Sequence, residues 1–439
     1  MNAFALIPFA VFALFYVTLG IVARDFYRVP MTVAFLVAIA SALFLGKGKK
    51  FSEKIETLAR GMGDQDIMLM CLIFILAGAF AAVAKGSGAV DSAVVIARWM
   101  IPDAFMVAGL FLVSSLISLA VGTSCGTIAA VAPIAMAFAV PLGLPPALLA
   151  GAIVSGAMFG DNLSMISDTT IAATRTQGVD MRDKFIANVA LAVPAAMAAL
   201  FIYLVAGSSQ TGAEAVAAPA AVSLKDLVLI LPYVMVLLLA LLGMNVVVVL
   251  LIGTLAAAFL GVAFGPLDFW GALETAGKGT LGMSETLTIA LLSGGLFRLV
   301  SEAGGVEWLT WAIAKKVRGP KSCELGAFFL TGLVNLFTAN NTVAIVIAGP
   351  VVRELGKKFQ ADPVKLAGII DIAGCFVQGI IPYGAQILIA TGIARSAGCE
   401  FSGLGLVKCI YYPFLLALSA FLGILISGLR SRESSSRKG

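Results

Sequence analysis

A polar, acidic run interrupts apolar sequence in the first half of the chain. It reads FGDNLSMISDTT from Phe159 to Thr170, and apolar helical sequence continues on both sides of it. Asp161 and Asp168 are seven residues apart, so their carboxylates share one face of a helix, and on unwound backbone their oxygens can converge on one ion. Within apolar surroundings such charges require a cation or a proton. The run therefore predicts a site for sodium ions or protons, although a surface loop is the alternative interpretation.

Two further polar segments carry small oxygen-bearing side chains, Thr123 to Thr127 and Asn340 to Thr342. Hydroxyl, amide and carboxylate oxygens suit a hard cation such as sodium. The candidate ion ligands are Asp161, Asn162, Ser164, Asp168, Thr169, Thr123, Ser124, Thr127, Asn340, Asn341 and Thr342.

The chain repeats itself after 217 residues, without a gap, so that Ala59 to Thr174 lies over Ala276 to Thr391 and, for example, Gly78 aligns with Gly295. The polar segments of the two copies coincide. Gln378 stands opposite Asp161, and Gln386 opposite Thr169, so the second copy keeps oxygens but loses both charges. The candidate residues of this second break are Gln378, Pro382, Tyr383, Gly384 and Gln386. Duplicated membrane segments with helix breaks in register are typical of secondary transporters with a site at the repeat interface, whereas ordinary Gly/Ser kinks are the alternative.

The composition predicts an all-α polytopic membrane protein. Hydrophobic residues make up 60% of the chain and charged residues 12%, and many apolar runs approach the roughly 20 residues that cross a bilayer. We interpret the first run as a retained span, since no basic stretch precedes it. Ten crossings are predicted, five in each copy: 4–23, 31–45, 67–84, 147–175 (interrupted) and 186–206, then 225–243, 245–263, 287–301, 364–394 (interrupted) and 404–427.

Each copy also contains a paired apolar segment with a polar tip, 104–140 and 325–352, which we interpret as a re-entrant hairpin. Five crossings per copy is an odd number, so the second repeat must be inverted relative to the first. Backbone that leaves helical geometry within a bilayer needs protein, water or a ligand to satisfy its polar groups. The two tips and the two breaks are therefore expected to line one polar cavity near the midplane.

The distribution of basic residues predicts the orientation. With these crossings, twenty lysines and arginines fall on one side and eight on the other, which places both termini in the cytoplasm. Arg182 and Lys184 are counted as a cytoplasmic loop. The predicted domains are a first repeat (1–206), an extracytoplasmic linker (207–223), a second repeat (224–429) and a cytoplasmic basic tail (430–439).

The remaining charges within apolar runs are few. Asp371 stands alone before the second break and is a candidate proton carrier with Asp161 and Asp168, because intramembrane acids are commonly functional. Arg298 and Glu302 are four residues apart and are equally compatible with a structural pair or a coupling element. The chain contains no histidine, so carboxylates would have to carry protons. The six scattered cysteines lack metal-ligand spacing and are expected to be packing residues.

FGDNLSMISDTT resembles the signature of the NhaC family of sodium/proton antiporters, and Ala339 to Thr342 with Gln378 to Gln386 resembles its second-half counterpart. The resemblance covers most of the chain. It implies the ion-transporter superfamily fold, with inverted repeats, hairpins and broken helices, and usually a homodimer. It also implies sodium coupling through Asp161, Ser164, Asp168 and the hairpin tips. The family also includes carriers of organic acids, so the resemblance leaves open whether this protein transports an organic solute.

Three functional hypotheses follow. The first is sodium/proton antiport across the inner (plasma) membrane, without a cofactor beyond the coupling ions. The second is sodium- or proton-coupled transport of a small organic carboxylate or amino acid, with its carboxylate at the hairpin tips. The third is an intramembrane enzyme with Asp161 and Asp371 as an aspartyl dyad. The expected partners are the lipid bilayer and a second copy of the chain, and no nucleic acid.

Overall fold

A computed structural model describes residues 2–23, 29–45, 50–100, 102, 105–139, 142–165, 167–210 and 222–436. Within these ranges the regular structure is helical. In the first copy the helices are α1 (Ile7–Val22), α2 (Met31–Leu45), α3 (Phe51–Met62), α4 (Gln65–Gly86), α5 (Ala89–Met100), α6 (Met106–Val121), α7 (Ser124–Ala139), α8 (Pro146–Leu163), α9 (Asp168–Gln177) and α10 (Met181–Gln210).

In the second copy they are α11 (Leu224–Leu229), α12 (Leu231–Leu241), α13 (Val246–Ala263), α14 (Phe269–Leu281), α15 (Ser284–Glu302), α16 (Gly305–Ala314), α17 (Pro320–Thr338), α18 (Asn341–Phe359), α19 (Pro363–Gln378), α20 (Ala385–Ser396), α21 (Gly403–Val407) and α22 (Tyr412–Ser436). A short 3₁₀ helix, Ala3–Leu6, precedes α1.

The helix boundaries repeat with the same offset as the sequence. The second arms of the hairpins begin at Ser124 and Asn341, and the broken helices both begin at a proline, Pro146 and Pro363. Proline suits the first turn of a helix because its fixed φ is already helical and its missing N–H would have no helical partner there. The two polar interruptions in each copy therefore mark helix ends, as predicted.

Six helical stretches of the described residues are long and apolar enough to cross a membrane: Ala3–Val22, Gln65–Gly86, Pro146–Gln177, Met181–Ser209, Val246–Ala263 and Phe269–Glu302. Shorter apolar helices include 31–44, both arms of the first hairpin and 412–425. This confirms an all-helical polytopic membrane protein. Two predicted crossings differ: 225–243 is divided at Ile230 into α11 and α12, and the last long helix begins at Tyr412, after the short α21.

Four helices, α3, α5, α14 and α16, were not predicted because they are shorter than a span and carry charges. Two of them contact spanning helices through glycines. A Cβ on Gly61 of α3 would lie 2.6 Å from the carbonyl oxygen of Gly294 in α15, and one on Gly279 of α14 would lie 2.3 Å from that of Gly78 in α4. Such close backbone approach is typical of small residues in membrane helix pairs.

The broken helices pack against the hairpins. Within each copy, α6 contacts α8 and α17 contacts α19. Gly156 and Gly160 of α8 lie so close to α6 that a Cβ on either would meet the carbonyl oxygen of Phe111 or Ser115 within 2.5 Å. Between copies, α7 packs against α20 and α18 packs against α9. Each hairpin therefore contacts the broken helix of its own copy and that of the other.

Candidate ion-binding site

Both hairpin tips and both helix breaks border one cavity of about 180 Å³. This brings together segments from four places in the sequence, as the sequence predicted. Besides three apolar residues of α4, its lining is Asp66, Gly122, Thr123, Ser124, Cys125, Asp161, Ser167, Asp168, Thr169, Ala339, Asn340, Asn341, Thr342, Gln378, Ala385 and Gln386.

Asp161 is the buried acid of this cavity. It lies in the last turn of α8 and is 8% exposed. Ser124, at the start of α7, donates a hydrogen bond to Asp161 Oδ2 (2.7 Å), and Ser167, in the break, donates to Oδ1. Gln386 Nε2 in turn donates to Ser124 Oγ (3.0 Å), so α20 of the second copy is connected to the same group. Hairpin, break and opposite copy thus meet at one carboxylate.

Asp161 has no basic partner among the described residues. No lysine or arginine in that part of the chain forms an ion pair with it, and the side chains that donate hydrogen bonds to it are hydroxyls. Burying a carboxylate without a counter-charge is costly. Asp161 is therefore suited to hold a cation or a proton from the cavity.

The second copy supplies neutral oxygens. The amide oxygens of Gln378 and Gln386 are buried and have no hydrogen-bond partner among the described residues. Gln378 Nε2 donates to the carbonyl of Ala339 at the second tip (2.9 Å). Ala339 adopts the left-handed conformation (φ 51°), at the position that Gly122 (φ 73°) occupies in the first tip. This conformation costs a residue with a Cβ about 1–2 kcal/mol, and it ends α17 at the cavity.

Four helices begin at the cavity. Their first residues are Ser124 (α7), Asp168 (α9), Asn341 (α18) and Ala385 (α20), and all four line it. The first N–H groups of a helix have no helical acceptor and give its N-terminus a partial positive charge. The cavity thus combines one buried acid with N-termini that favour an anionic group.

Two acids lie at the exposed part of the cavity, Asp168 and Asp66. Asp66 was missed by the sequence analysis. It lies in the first turn of α4, and Asn340 Nδ2 donates to its Oδ2 at 3.5 Å. The only sequence signal was an Asp-Gln-Asp cluster before an apolar run, which is also an ordinary helix start.

Several predicted ligands lie elsewhere. Ser164 donates to the carbonyl of Leu119 in α6 (2.9 Å), and Thr127 donates to the carbonyl of Thr123 (2.9 Å). Tyr383 donates to the carbonyl of Leu336 (2.5 Å), and neither it nor its neighbours Pro382 and Gly384 line the cavity. These residues contact backbone at the breaks and the hairpins. The described residues contain no group of three or more His, Cys, Asp or Glu side chains arranged to hold a metal, so a cation here would use hydroxyl and amide oxygens beside Asp161.

Asp371 differs from the prediction that it stands alone. It is 1% exposed and forms an ion pair with Lys184, whose side chain is equally buried. Asn162 Nδ2 also donates to Asp371 Oδ2 (3.1 Å). The placement of Lys184 in a loop was therefore wrong, because α10 begins at Met181 and the Lys184 side chain is buried against Thr170 of α9 and Asp371 of α19. Arg298 and Glu302 do form a pair (2.9 Å), with Arg298 half exposed.

Comparison with known proteins identifies the family. A sequence model of the Na+/H+ antiporter family matches residues 1–208 and again residues 185–429. The chain belongs to the Na+/H+ antiporter (NhaC) family. This confirms the family that the FGDNLSMISDTT run indicated. The chain is a secondary transporter of the membrane and not an enzyme, which removes the aspartyl-dyad hypothesis.

Relatives in this family differ in what they exchange. The chain is 24% identical to the Malate-2H(+)/Na(+)-lactate antiporter of Bacillus subtilis, over 91% of this chain and 89% of the relative. It is 24% identical to the Na(+)/H(+) antiporter NhaC of Alkalihalophilus pseudofirmus, over 92% and 90%. It is 25% identical to the Arginine/ornithine antiporter ArcD of Halobacterium salinarum, over 71% and 70%.

Among solved structures, the Alcanivorax borkumensis YdaH transporter aligns with a TM-score of 0.36 and 16% identity, over 81% of this chain and 85% of that one.

Proposed function

We propose that this protein exchanges sodium ions for protons by alternating access across the inner (plasma) membrane. The observation that carries the proposal is the buried Asp161 carboxylate, which borders the cavity and has no lysine or arginine partner among the described residues. One such group can hold sodium or a proton but not both. Competition at that group is sufficient to couple the two opposite fluxes.

The neighbouring side chains suit this exchange. The hydroxyl of Ser124 and the amide oxygens of Gln378 and Gln386 border the cavity beside Asp161, and they are the kind of oxygen ligands that replace the water shell of a hard cation. Thr123, Thr169, Asn340 and Asn341 add further oxygens around the same space. When Asp161 is protonated, these neutral groups do not hold the ion by themselves, so that sodium leaves.

Alternating access requires the cavity to face each side in turn. We propose that the two copies are inverted repeats, with both termini in the cytoplasm, and that the hairpins and broken helices move together against the remaining helices. The packing of α7 on α20 and of α18 on α9 supports this joint movement, because these contacts connect the hairpin of each copy to the broken helix of the other. The homodimer implied by the family remains a prediction.

A second function is supported by the four helix N-termini at the cavity. Their N–H groups favour a carboxylate, and a space of about 180 Å³ is large enough for a small organic acid beside a cation at Asp161. The relationship to carriers whose names include malate, lactate and arginine favours the same possibility. In this mode a small carboxylate or amino acid crosses together with, or against, sodium or protons.

The experiment that tests the proposal uses purified protein in liposomes that contain a pH-sensitive dye. An inward sodium gradient, with no organic solute present, is expected to drive protons outwards, and Asp161→Asn is expected to reduce this flux to the level of empty liposomes. Asp183→Asn, on the exposed first turn of α10, is the control and should transport like the unaltered protein.

Full sodium-driven proton flux in Asp161→Asn would contradict the proposal. Flux that appears only after an organic acid or amino acid is added would favour the second function instead.

A further inference from the structure

A buried lysine lies directly behind the break of the first copy. Lys184 Nζ donates to the main-chain carbonyl of Asn162 (2.9 Å), to Thr170 Oγ1 (2.8 Å) and to Asp371 Oδ2. Its side chain is only 1% exposed. These contacts join α10 to the end of α8, the start of α9 and the middle of α19.

The oxygens around this amine form a cation site. They comprise one carboxylate, one hydroxyl and one main-chain carbonyl at the end of α8, which is the mixture of ligands that sodium takes in proteins. In addition, Asn162 Oδ1 is buried without a hydrogen-bond partner among the described residues. The ammonium group therefore occupies a position in which a free cation would be well coordinated.

This second carboxylate is adjacent to the first. Asn162, which follows Asp161 in the chain, donates to Asp371 with its side-chain amide and accepts from Lys184 with its carbonyl. The two acids nevertheless differ in their counter-charges, since Lys184 is paired with Asp371 while no described lysine or arginine is paired with Asp161. Among the described residues, the other titratable side chains that interact electrostatically with Asp371 include Cys375, one turn along α19, and Tyr412 of α22.

We propose that Lys184 is a tethered cation that fills a sodium-type site at Asp371 and thereby limits exchange to one carboxylate, Asp161. The inference rests on the proposed function and deepens it, because it assigns the residue that sets how many cations are exchanged in one cycle. Asp371 is then neither a proton carrier nor a sodium ligand while the amine is present. Removal of the amine opens the site to a free sodium ion or a proton.

The test compares Lys184→Met, Asp371→Asn and the double variant Lys184→Met/Asp371→Asn. For Lys184→Met we expect a second cation to bind. The dependence of flux on sodium concentration should then fit two sites, and the net charge moved in each transport cycle should change. This is measured in liposomes from the membrane potential at which flux reverses. Sodium-dependent thermal stability of the detergent-solubilised protein gives a second measure, since each bound cation adds stabilisation.

For Asp371→Asn we expect weaker sodium binding. The Lys184 ammonium group, which contacts the residue next to Asp161, loses its counter-charge and repels a cation at Asp161. The apparent affinity for sodium should therefore fall by about tenfold or more. The double variant removes both charges and should return the one-site dependence of the unaltered protein. Lys184→Arg, which keeps the charge, should also keep one-site behaviour.

The exposed pair Lys278 and Glu274 is the matched control. Lys278→Met, Glu274→Gln and their combination should leave the sodium dependence unchanged. A purely structural role of Lys184 would lower thermal stability in all three variants at the buried pair without altering the shape of the sodium dependence, and that result would overturn the inference. So would unchanged sodium affinity in Asp371→Asn, even where Lys184→Met fails to fold.

Failure of the proposed function has a different signature. If the unaltered protein showed no sodium-driven proton flux, the exchange itself would be refuted, while the thermal measurements would still report whether loss of the amine adds a sodium site.

Discussion

At the scale of single residues, the site depends on how the two oxygens of Asp161 are hydrogen-bonded. Ser124 and Ser167 each donate to one of them, and Ser124 also accepts from Gln386. The Ser124 hydroxyl thus connects the acid both to the first hairpin and to the second copy. The hydroxyl oxygen can turn a lone pair towards a cation while its O–H continues to donate to the Asp161 carboxylate.

Ser124→Ala is expected to weaken sodium binding while leaving the fold intact. Hydrogen bonds to charged groups contribute about 1.5–3 kcal/mol, so the apparent sodium affinity should fall by about tenfold or more. The measurement is the sodium concentration dependence of proton flux in liposomes.

Ser115→Ala is the matched control, because Ser115 donates to the carbonyl of Phe111 one turn earlier in the same hairpin. Equal sodium affinities for the two variants would show that Ser124 does not act on the ion.

Sequence alone indicated Asp161 and the small polar residues of both tips, because polar residues inside apolar runs stand out. It could not indicate that Asp371 is paired, since Lys184 lies 187 residues away and its position beside other basic residues is typical of a loop. Nor could it separate Ser164, which donates to backbone of α6, from Ser167, which donates to Asp161. Those assignments depend on how the unwound segment turns.

At the scale of helices, glycine contacts determine how the short helices join the spanning ones. Gly279 of α14 faces Gly78 of α4, and each would place a Cβ within 2.4 Å of the other's carbonyl oxygen. Leu69, Met70 and Ile73 of α4 also line the cavity, so a displacement of α4 at this glycine contact would change the shape of the cavity.

Gly279→Ala is expected to lower stability by about 1–3 kcal/mol, because the added methyl group cannot be accommodated without moving the backbone of α4. Thermal unfolding in detergent measures this change.

Gly277→Ala in the same helix is the control, since nothing lies within 4 Å of its Cβ position and alanine favours helix. If the two variants melted at the same temperature, α4 and α14 would not be in this close contact.

The break positions were readable from the sequence to within a few residues, whereas the short helices were not. Polar residues in an apolar run give a strong signal, and α8, α9, α19 and α20 end or begin there. Helix α3 mixes charged and apolar residues over only twelve positions, a composition equally common in surface loops. What identifies it as part of the repeat is its packing against α15, which mirrors that of α14 against α4.

At the scale of the whole molecule, the relative orientation of the two copies decides whether one cavity can serve both sides of the membrane. Helices α3 and α14 occupy corresponding places in the repeat, and Glu56 and Glu274 are exposed on them (69% and 67%). The inverted arrangement that we propose places these two side chains on opposite sides of the bilayer.

Cysteines introduced at these two positions, in a transport-competent background whose six native cysteines are replaced, test this arrangement. A membrane-impermeant maleimide applied to intact cells should modify Glu274→Cys at once and Glu56→Cys only after the membrane is permeabilised. Modification of both from the same side would refute the inversion.

The packing of each hairpin arm on the other copy's half-helix has a consequence for how such a protein can arise. Neither half of the gene encodes all the helices that surround the acid. Helix α20 of the second copy packs against α7 of the first, and α9 of the first copy packs against α18 of the second. Two separately expressed fragments, divided between 207 and 223, should regain activity only when they assemble in the same cell. In the inverted arrangement that we propose, a single-copy ancestor works as a pair of identical polypeptides inserted in opposite directions.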